Sequence, residues 1–112
     1  MANPSKQRGT RWETDIVAYL NENGYPHAER RALAGNLDKG DITGLGPAIV
    51  IEAKATKALS LGEQMKETEA ERLNAKADYG VLVWKRRQQP TAKAAVILPL
   101  DQFVQLLKAA QI

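Results

Sequence analysis

The stretch AIVIEAKA, residues 48–55, places the tightest limit on what this chain can fold into. It begins as an apolar, β-branched run, which is typical of a buried strand, and it ends on an acid and a base. Because side chains alternate across a strand, Glu52 and Lys54 share one face with Val50. The two charges indicate either a surface salt bridge at a frayed strand end or a functional site.

The elements on either side of this strand predict an α/β domain. A first helix runs from Gly9 or Thr10 to Asn23 and stops at Gly24. A capping-box pattern at Ser60 opens a second, charged helix that ends near Asp78, before Gly80. A third helix starts near Asp101 and carries its apolar residues on one side, at Phe103, Val104, Leu107 and Ala110.

Short strands fill the intervals between these helices. They are predicted at residues 26–33, 41–43, 48–55, 79–85 and 94–99. The glycine- and proline-rich turn at 44–47 joins the second and third of them as a hairpin. The order α-β-β-β-α-β-β-α predicts a small mixed β-sheet flanked by helices. Residues 1–8 are expected to form a flexible N-terminal segment, and residues 9–112 a single domain.

The composition limits which kinds of metal site the chain can form. The chain has no cysteine, and its only histidine is His27, so thiolate and multi-histidine metal sites are excluded. A catalytic metal would therefore depend mainly on carboxylates, which favour hard ions such as Mg²⁺ or Mn²⁺. No run is long enough to span a membrane and the N-terminus has no apolar signal region, so we expect a cytoplasmic protein and no membrane partner.

Charge is unevenly distributed along the chain, although the net charge is only +3. Residues 61–78 carry an excess of acids, and the bases are concentrated elsewhere. This segregation indicates a cationic face for a polyanion, with ordinary solvated surface as the alternative. The candidate phosphate contacts are Arg30, Arg31, Lys57, Lys85, Arg86 and Arg87.

Two acids and a lysine converge in the predicted hairpin. Asp41 precedes the turn and Glu52 follows it, so the turn can bring both carboxylates to the same end of the sheet. Lys54 lies two residues further on the same strand face. Two acids can hold a hard cation, and a lysine can orient water or stabilise a phosphate charge, which together suit metal-assisted phosphodiester hydrolysis.

Glu13 interrupts the apolar stripe of the first helix, where it projects between Val17 and Leu20. A carboxylate at this position indicates either a rim residue favoured by the helix dipole or a fourth member of the acidic site.

These residues resemble the PD-(D/E)XK nuclease superfamily, and within it the small Holliday junction resolvases of archaeal and phage type. The resemblance extends over about residues 9–109 and is carried by Glu13, by Gly40-Asp41-Ile42 and by Ile51-Glu52-Ala53-Lys54. It implies a restriction-endonuclease-like core in which Asp41, Glu52 and the Ala53 backbone carbonyl bind Mg²⁺ or Mn²⁺. Lys54 would be the catalytic lysine.

The resemblance also bears on several other positions. It implies that Glu13 completes the acidic site and contributes to metal binding, and that Gln64 is an accessory residue, although a first-turn glutamine is more often plain surface. Gly40 stands where many members have proline. The loop before Asp41 lacks the serine that resolvases often carry there, so any role of its hydroxyl is either missing or taken by Asn36.

The resemblance implies a divalent-metal-dependent DNA endonuclease that cuts four-way junctions as a homodimer, in a bacterial, archaeal or phage-infected cell. Its dimer surface would be strand 81–84 or the C-terminal helix. Two alternatives remain open: a restriction- or repair-type nuclease acting on linear or single-stranded DNA, and a DNA-binding module of the same fold without catalysis.

Overall fold

A five-stranded mixed sheet forms the centre of the protein in this computed structural model, which describes residues 4–31 and 38–112. The strands lie in sequence order, and only β3 and β4 are parallel. The elements are α1 (Pro4–Glu22), β1 (Glu29–Arg30), β2 (Ile42–Thr43), β3 (Ile49–Lys54), α2 (Leu61–Ala75), β4 (Tyr79–Trp84), a 3₁₀ turn (Thr91–Lys93), β5 (Ala95–Ile97) and α3 (Leu100–Ala109). The α/β class and the predicted order of helices and strands are confirmed.

One face of the sheet packs against α1 and forms the main apolar core. Trp12 and Ile16 of α1 are buried against Ile42, Ile51 and Val81. The Trp12 indole Nε1 donates a hydrogen bond to the carbonyl oxygen of Val83 at 3.2 Å, so its one polar atom is satisfied inside the core. Trp12 and Ile16 of the predicted apolar stripe are therefore buried as the helical periodicity predicts, whereas Tyr19, also predicted for this stripe, is exposed.

The opposite face of the sheet packs against α2, and this contact is unusually polar. Thr68 and Glu71 are the buried residues of α2, whereas Leu61 and Leu73 are exposed. Gly80 of β4 permits the close approach, because a Cβ there would lie 3.1 Å from the Thr68 carbonyl oxygen. The α2 helix thus turns polar side chains toward the strand that carries Glu52.

Several predicted boundaries are wrong for identifiable reasons. The first helix begins at Pro4 rather than Gly9, so residues 4–8 are helical; their flexibility remains a prediction. The α2 helix ends at Ala75 because Lys76 adopts the left-handed conformation, with φ 55°, that glycine usually supplies, and Gly80 lies within β4. Ser60 occupies the N-cap position without a side-chain hydrogen bond, so the capping box does not form.

The other differences concern the short strands and the last helix. Of the predicted strand 26–33, Glu29–Arg30 forms a β-strand in the described part of the chain, and the Arg31 N–H extends the contact by donating to the Asp41 carbonyl oxygen at 2.8 Å. Residues 32 and 33 lie outside the described residues. The predicted apolar side of α3 is not buried, since Phe103 and Val104 are exposed while Gln102 is buried. Gln102 accepts a hydrogen bond from the Gly80 N–H at 2.8 Å, which anchors α3 beside β4. In the described part of the chain, no helix is long and apolar enough to cross a membrane.

The turn at 44–47 provides a matched test of the fold. Gly44 and Gly46 both have positive φ, 91° and 94°. A Cβ on Gly44 would lie 1.8 Å from the His27 carbonyl oxygen, whereas one on Gly46 meets nothing within 4 Å. We expect Gly46→Ala to cost about 1–2 kcal/mol in the free energy of unfolding, from backbone strain alone. Gly44→Ala should cost a further ~1–3 kcal/mol because the backbone must also move.

Urea denaturation of the two variants and the wild type measures this difference. Equal losses for both variants would contradict the close packing of the 27–28 backbone against Gly44.

Candidate active site

A cleft of about 440 Å³ lies at the C-terminal end of β3. Its walls are formed by Arg8, Gly9, Thr10 and Glu13 of α1, by Arg30 and Asp41, and by residues 52–56. Glu13, Asp41, Glu52 and Lys54, which are distant in sequence, are therefore brought to one cavity.

The β2–β3 hairpin positions the two central acids. Ile42 pairs with Ile51, so Asp41 lies opposite Glu52. The Asp41 N–H donates to the Ile51 carbonyl oxygen at 2.8 Å, and the Asp41 Oδ2 accepts the Ala53 N–H at 2.8 Å. The Asp41 side chain is thus fixed against β3 by its own backbone and by its carboxylate.

The backbone conformation at residue 40 explains why glycine, rather than proline, precedes Asp41. Its φ of 93° excludes proline, and a Cβ there would lie 3.0 Å from the Ile51 carbonyl oxygen. Its N–H also donates to Asp38 Oδ1 at 2.9 Å, a bond that proline could not form. The glycine therefore allows the loop to pass close to β3 and bring Asp41 into contact with it.

The Ala53 carbonyl faces the same edge as Asp41. The N–H and C=O of one strand residue point to the same side of the strand, and the Ala53 N–H points to Asp41. The Lys54 carbonyl points the other way, since it accepts the Lys85 N–H at 2.8 Å. Because β2 ends at the level of Ile51, no strand among residues 4–31 and 38–112 pairs with the Ala53 carbonyl on this edge.

Lys54 lines the cleft and forms no ion pair with any residue that the structure describes. Glu52 is only 7 % exposed, so it is not a solvated residue at a frayed end. The alternative of a surface Glu52–Lys54 salt bridge is therefore wrong.

Glu13 points from α1 into the cleft, which explains its position within an apolar stripe. Its Oε1 accepts a hydrogen bond from Arg30 Nε at 3.2 Å, in an ion pair that is partly exposed on the arginine side. Burial, and secondarily the charge of Asp41, raise the pKa of Glu13 despite Arg30. Glu13 and Asp41 are thus close enough to interact electrostatically.

Two further acids, which the sequence analysis did not identify as site residues, adjoin Glu52 on the α2 side. Oxygen atoms of Asp38, Glu52 and Glu71 all lie within 4.8 Å of one another. Burial raises the pKa of Glu52 strongly, and the contact with Glu71 and the charge of Asp41 raise it further. Burial is also the main cause that raises the pKa of Glu71 to about 7.

The other predicted residues lie outside the cleft. Arg31 donates to Thr43 Oγ1 at 3.3 Å and lines a separate depression with Lys39. Gln64 is partly buried, contrary to the plain surface interpretation, and its Oε1 has no hydrogen-bond partner in the described part of the chain. The remaining bases, Lys57, Lys85, Arg86 and Arg87, are exposed, and contact with DNA remains a prediction for each of them. Asn36 lies outside the described residues.

Comparison of the chain with protein-family models, with curated proteins and with solved structures found no match. The basis for assigning a function is therefore the geometry of the cleft and of the acids around Glu52.

The buried Glu71 makes a pH-dependent contribution to stability. Its pKa is raised from 4.5 to about 7, so the folded protein holds this proton more tightly than the unfolded chain. The contribution is fully present below about pH 4.5 and is lost as the pH rises through about 7. With chelator at pH 8, we expect Glu71→Gln to be more stable than the wild type by on the order of 1–3 kcal/mol. The difference should vanish near pH 4.

Denaturant titrations at the two pH values measure this effect, and Glu67→Gln, at an exposed position of the same helix, is the control. A Glu71→Gln variant that is less stable than the wild type at pH 8 would contradict the burial of an uncompensated acid.

Proposed function

We propose that the protein is a divalent-metal-dependent DNA endonuclease of the PD-(D/E)XK type. The observation that carries this proposal is the convergence of Asp41, Glu52 and Lys54 at one end of β3, in a cleft open to solvent. A DNA-binding module without catalysis would gain nothing from carboxylates beside a phosphate, because like charges repel.

The donor set fits a hard divalent cation. Asp41, Glu52 and the Ala53 carbonyl supply only oxygen ligands, as Mg²⁺ and Mn²⁺ prefer. A fully buried oxygen, Glu52 Oε2, has no hydrogen-bond partner among the described residues, so a carboxylate there still needs a compensating charge. When bound, the metal would polarise the scissile phosphate and lower the pKa of a water molecule.

The remaining cleft residues have supporting roles in this proposal. The Lys54 ammonium would stabilise the negative charge that develops on the phosphate, or hold the attacking water. Glu13 would face the same space from α1, and Arg30 would hold its carboxylate in place. The Asp41 carboxylate would remain oriented by the Ala53 N–H throughout the reaction.

The nucleic acid would be held by bases around the cleft. Arg8 and Arg30 line the cavity itself, and Lys57 and the run Lys85–Arg87 are exposed. Phosphate contacts of this kind set position and affinity rather than sequence preference. The proposed substrate is a DNA four-way junction.

Junction cleavage requires two symmetric cuts, and the simplest arrangement is a two-fold homodimer. Strand 81–84 is buried and lies between β3 and β5, which argues against it as the dimer surface. The α3 helix is the better candidate, because it exposes Leu100, Phe103 and Val104.

The chemistry is tested by two substitutions in the cleft. Asp41→Asn removes a ligand charge and Lys54→Ala removes the cation that would face the phosphate. Each should reduce cleavage by about 100-fold or more while DNA binding persists. Cleavage by the wild type should vanish with chelator and return with Mg²⁺ or Mn²⁺. A single-turnover assay on a four-way junction beside matched linear duplex measures the rates.

Lys66→Ala, at an exposed position of α2, is the matched control and should cut like the wild type. Normal cleavage by Lys54→Ala, or full activity in chelator, would rule out this mechanism.

The dimer is tested at the exposed face of α3. Phe103→Glu places a charge in the proposed interface and should give a monomer by light scattering, whereas Gln105→Glu, at an exposed polar position of α3, should not. Two linked sites gain affinity for a junction by effective concentration, so the monomeric variant should lose at least about tenfold of the preference for junction over duplex. A monomeric wild type that cuts linear duplex equally well would leave a restriction- or repair-type nuclease.

A further inference from the structure

A cluster of three acids lies on the α2 side of Glu52. Asp38 comes from the loop before β2, Glu52 from β3 and Glu71 from the inner face of α2. Each offers one oxygen, and the three oxygens lie within 4.8 Å of one another. Three separate segments of the chain therefore bring carboxylates to a single point.

The burial of two of these acids distinguishes the cluster from an ordinary acidic surface. Glu52 and Glu71 are only 7 % and 4 % exposed. Each has one fully buried oxygen, Oε2, without a hydrogen-bond partner in the part of the chain that the structure describes. Buried carboxylate oxygens that lack a donor are costly, and in proteins they are commonly compensated by a cation.

Arg72 and Arg30 do not supply that cation, because each is paired with an acid outside the cluster. Arg72, the neighbour of Glu71 in sequence, forms its ion pair with Glu69 instead. Arg30 is paired with Glu13. The three acids can therefore be ionised together only if a cation from outside these ion pairs compensates them.

The spacing of the oxygens suits a bound ion. In an octahedral shell, opposite ligands are separated by twice the metal–oxygen distance, which is about 4.2 Å for Mg²⁺ and about 4.8 Å for Ca²⁺. The three oxygens lie within 4.8 Å of one another, which does not exceed the upper end of this range. Asp38 is exposed, which gives an ion access from solvent, and its Oδ1 is held by the Gly40 N–H at 2.9 Å.

We propose that Asp38, Glu52 and Glu71 form a second divalent-cation site, distinct from the one formed at Asp41 and the Ala53 carbonyl. Glu52 lies between the two sites and contributes to both. A cation on the α2 side keeps the Glu52 carboxylate ionised and fixes its orientation toward the cleft. The second site does not depend on the nuclease proposal, because its binding can be measured without DNA.

The test is a Mn²⁺ titration of the DNA-free protein, in which the electron paramagnetic resonance signal measures the concentration of free Mn²⁺. We compare the wild type with Glu71→Gln, Asp38→Asn and Asp41→Asn, and with Glu67→Gln as the exposed control on α2. Glu71→Gln and Asp38→Asn should each weaken one Mn²⁺ site by tenfold or more. Asp41→Asn and Glu67→Gln should retain that site.

Thermal unfolding provides a second readout. Mn²⁺ should raise the midpoint of the wild type and of Asp41→Asn, but raise it much less in Glu71→Gln. If Glu71→Gln fails to fold, Asp38→Asn carries the test, since Asp38 is exposed and its loss leaves no buried gap.

Three results would overturn the second site. In the first, the wild type binds no Mn²⁺. In the second, Glu71→Gln and Asp38→Asn bind Mn²⁺ as the wild type does. In the third, the single variants Asp41→Asn and Glu71→Gln each abolish all Mn²⁺ binding. The last result would indicate one shared site. A protein that shows the Glu71-dependent site but cleaves no DNA would keep this inference while refuting the nuclease.

Discussion

The hydrogen bond from the Ala53 N–H to the Asp41 carboxylate is the interaction on which the site depends. β2 pairs with β3 through Ile42 and Ile51, so β3 extends past the end of β2 toward the cleft. An edge N–H left without a partner there would be costly. Asp41 satisfies it with its side chain, and the adjacent Ala53 carbonyl stays open to the cavity. One contact thus ends the strand pairing, fixes the acid and forms the wall of the cleft.

The polar packing of α2 against the sheet is a second feature of the site. Gln64, Thr68 and Glu71 follow at helical spacing and face the sheet, while Leu61 and Leu73 face solvent. A helix so oriented gains little from apolar burial. Its contact with β4 instead depends on Gly80, where the backbone of α2 approaches too closely for a larger residue. The stability lost by burying Glu71 is consistent with a functional role for that carboxylate.

Much of the arrangement could be predicted from the sequence because the signals are local. The apolar run of β3, the turn at 44–47 and the stripe of α1 predict the hairpin, the core and the meeting of Asp41 with Glu52. Glu71 could not be found this way, since helical periodicity leads one to expect apolar residues on the inner face of α2. Its one signal is the spacing of Gln64, Thr68 and Glu71, which is informative only once the helix orientation is known.

The predicted end of α2 and the predicted burial of α3 are wrong for a similar reason. Lys76 ends α2 in a conformation that the sequence would assign to glycine. Phe103 and Val104 of α3 lie at the surface instead of in the core. In each case tertiary contacts override a local preference. The anchoring of α3 by the Gln102 side chain on the Gly80 N–H is one such contact, and no periodicity rule would predict it.

The electrostatics of the cleft connect metal and phosphate under the proposed function. Arg30 neutralises Glu13, but Asp41 and Glu52 face the cavity without a paired base among the described residues. In their ionised form these acids would repel a phosphate that enters alone, whereas a divalent cation between them would hold them ionised and reverse the local charge. Because linkage is reciprocal, DNA would then increase the affinity for the cation by the same factor as the cation increases the affinity for DNA. The burial that makes the acids costly without a cation would thus couple the two proposed ligands.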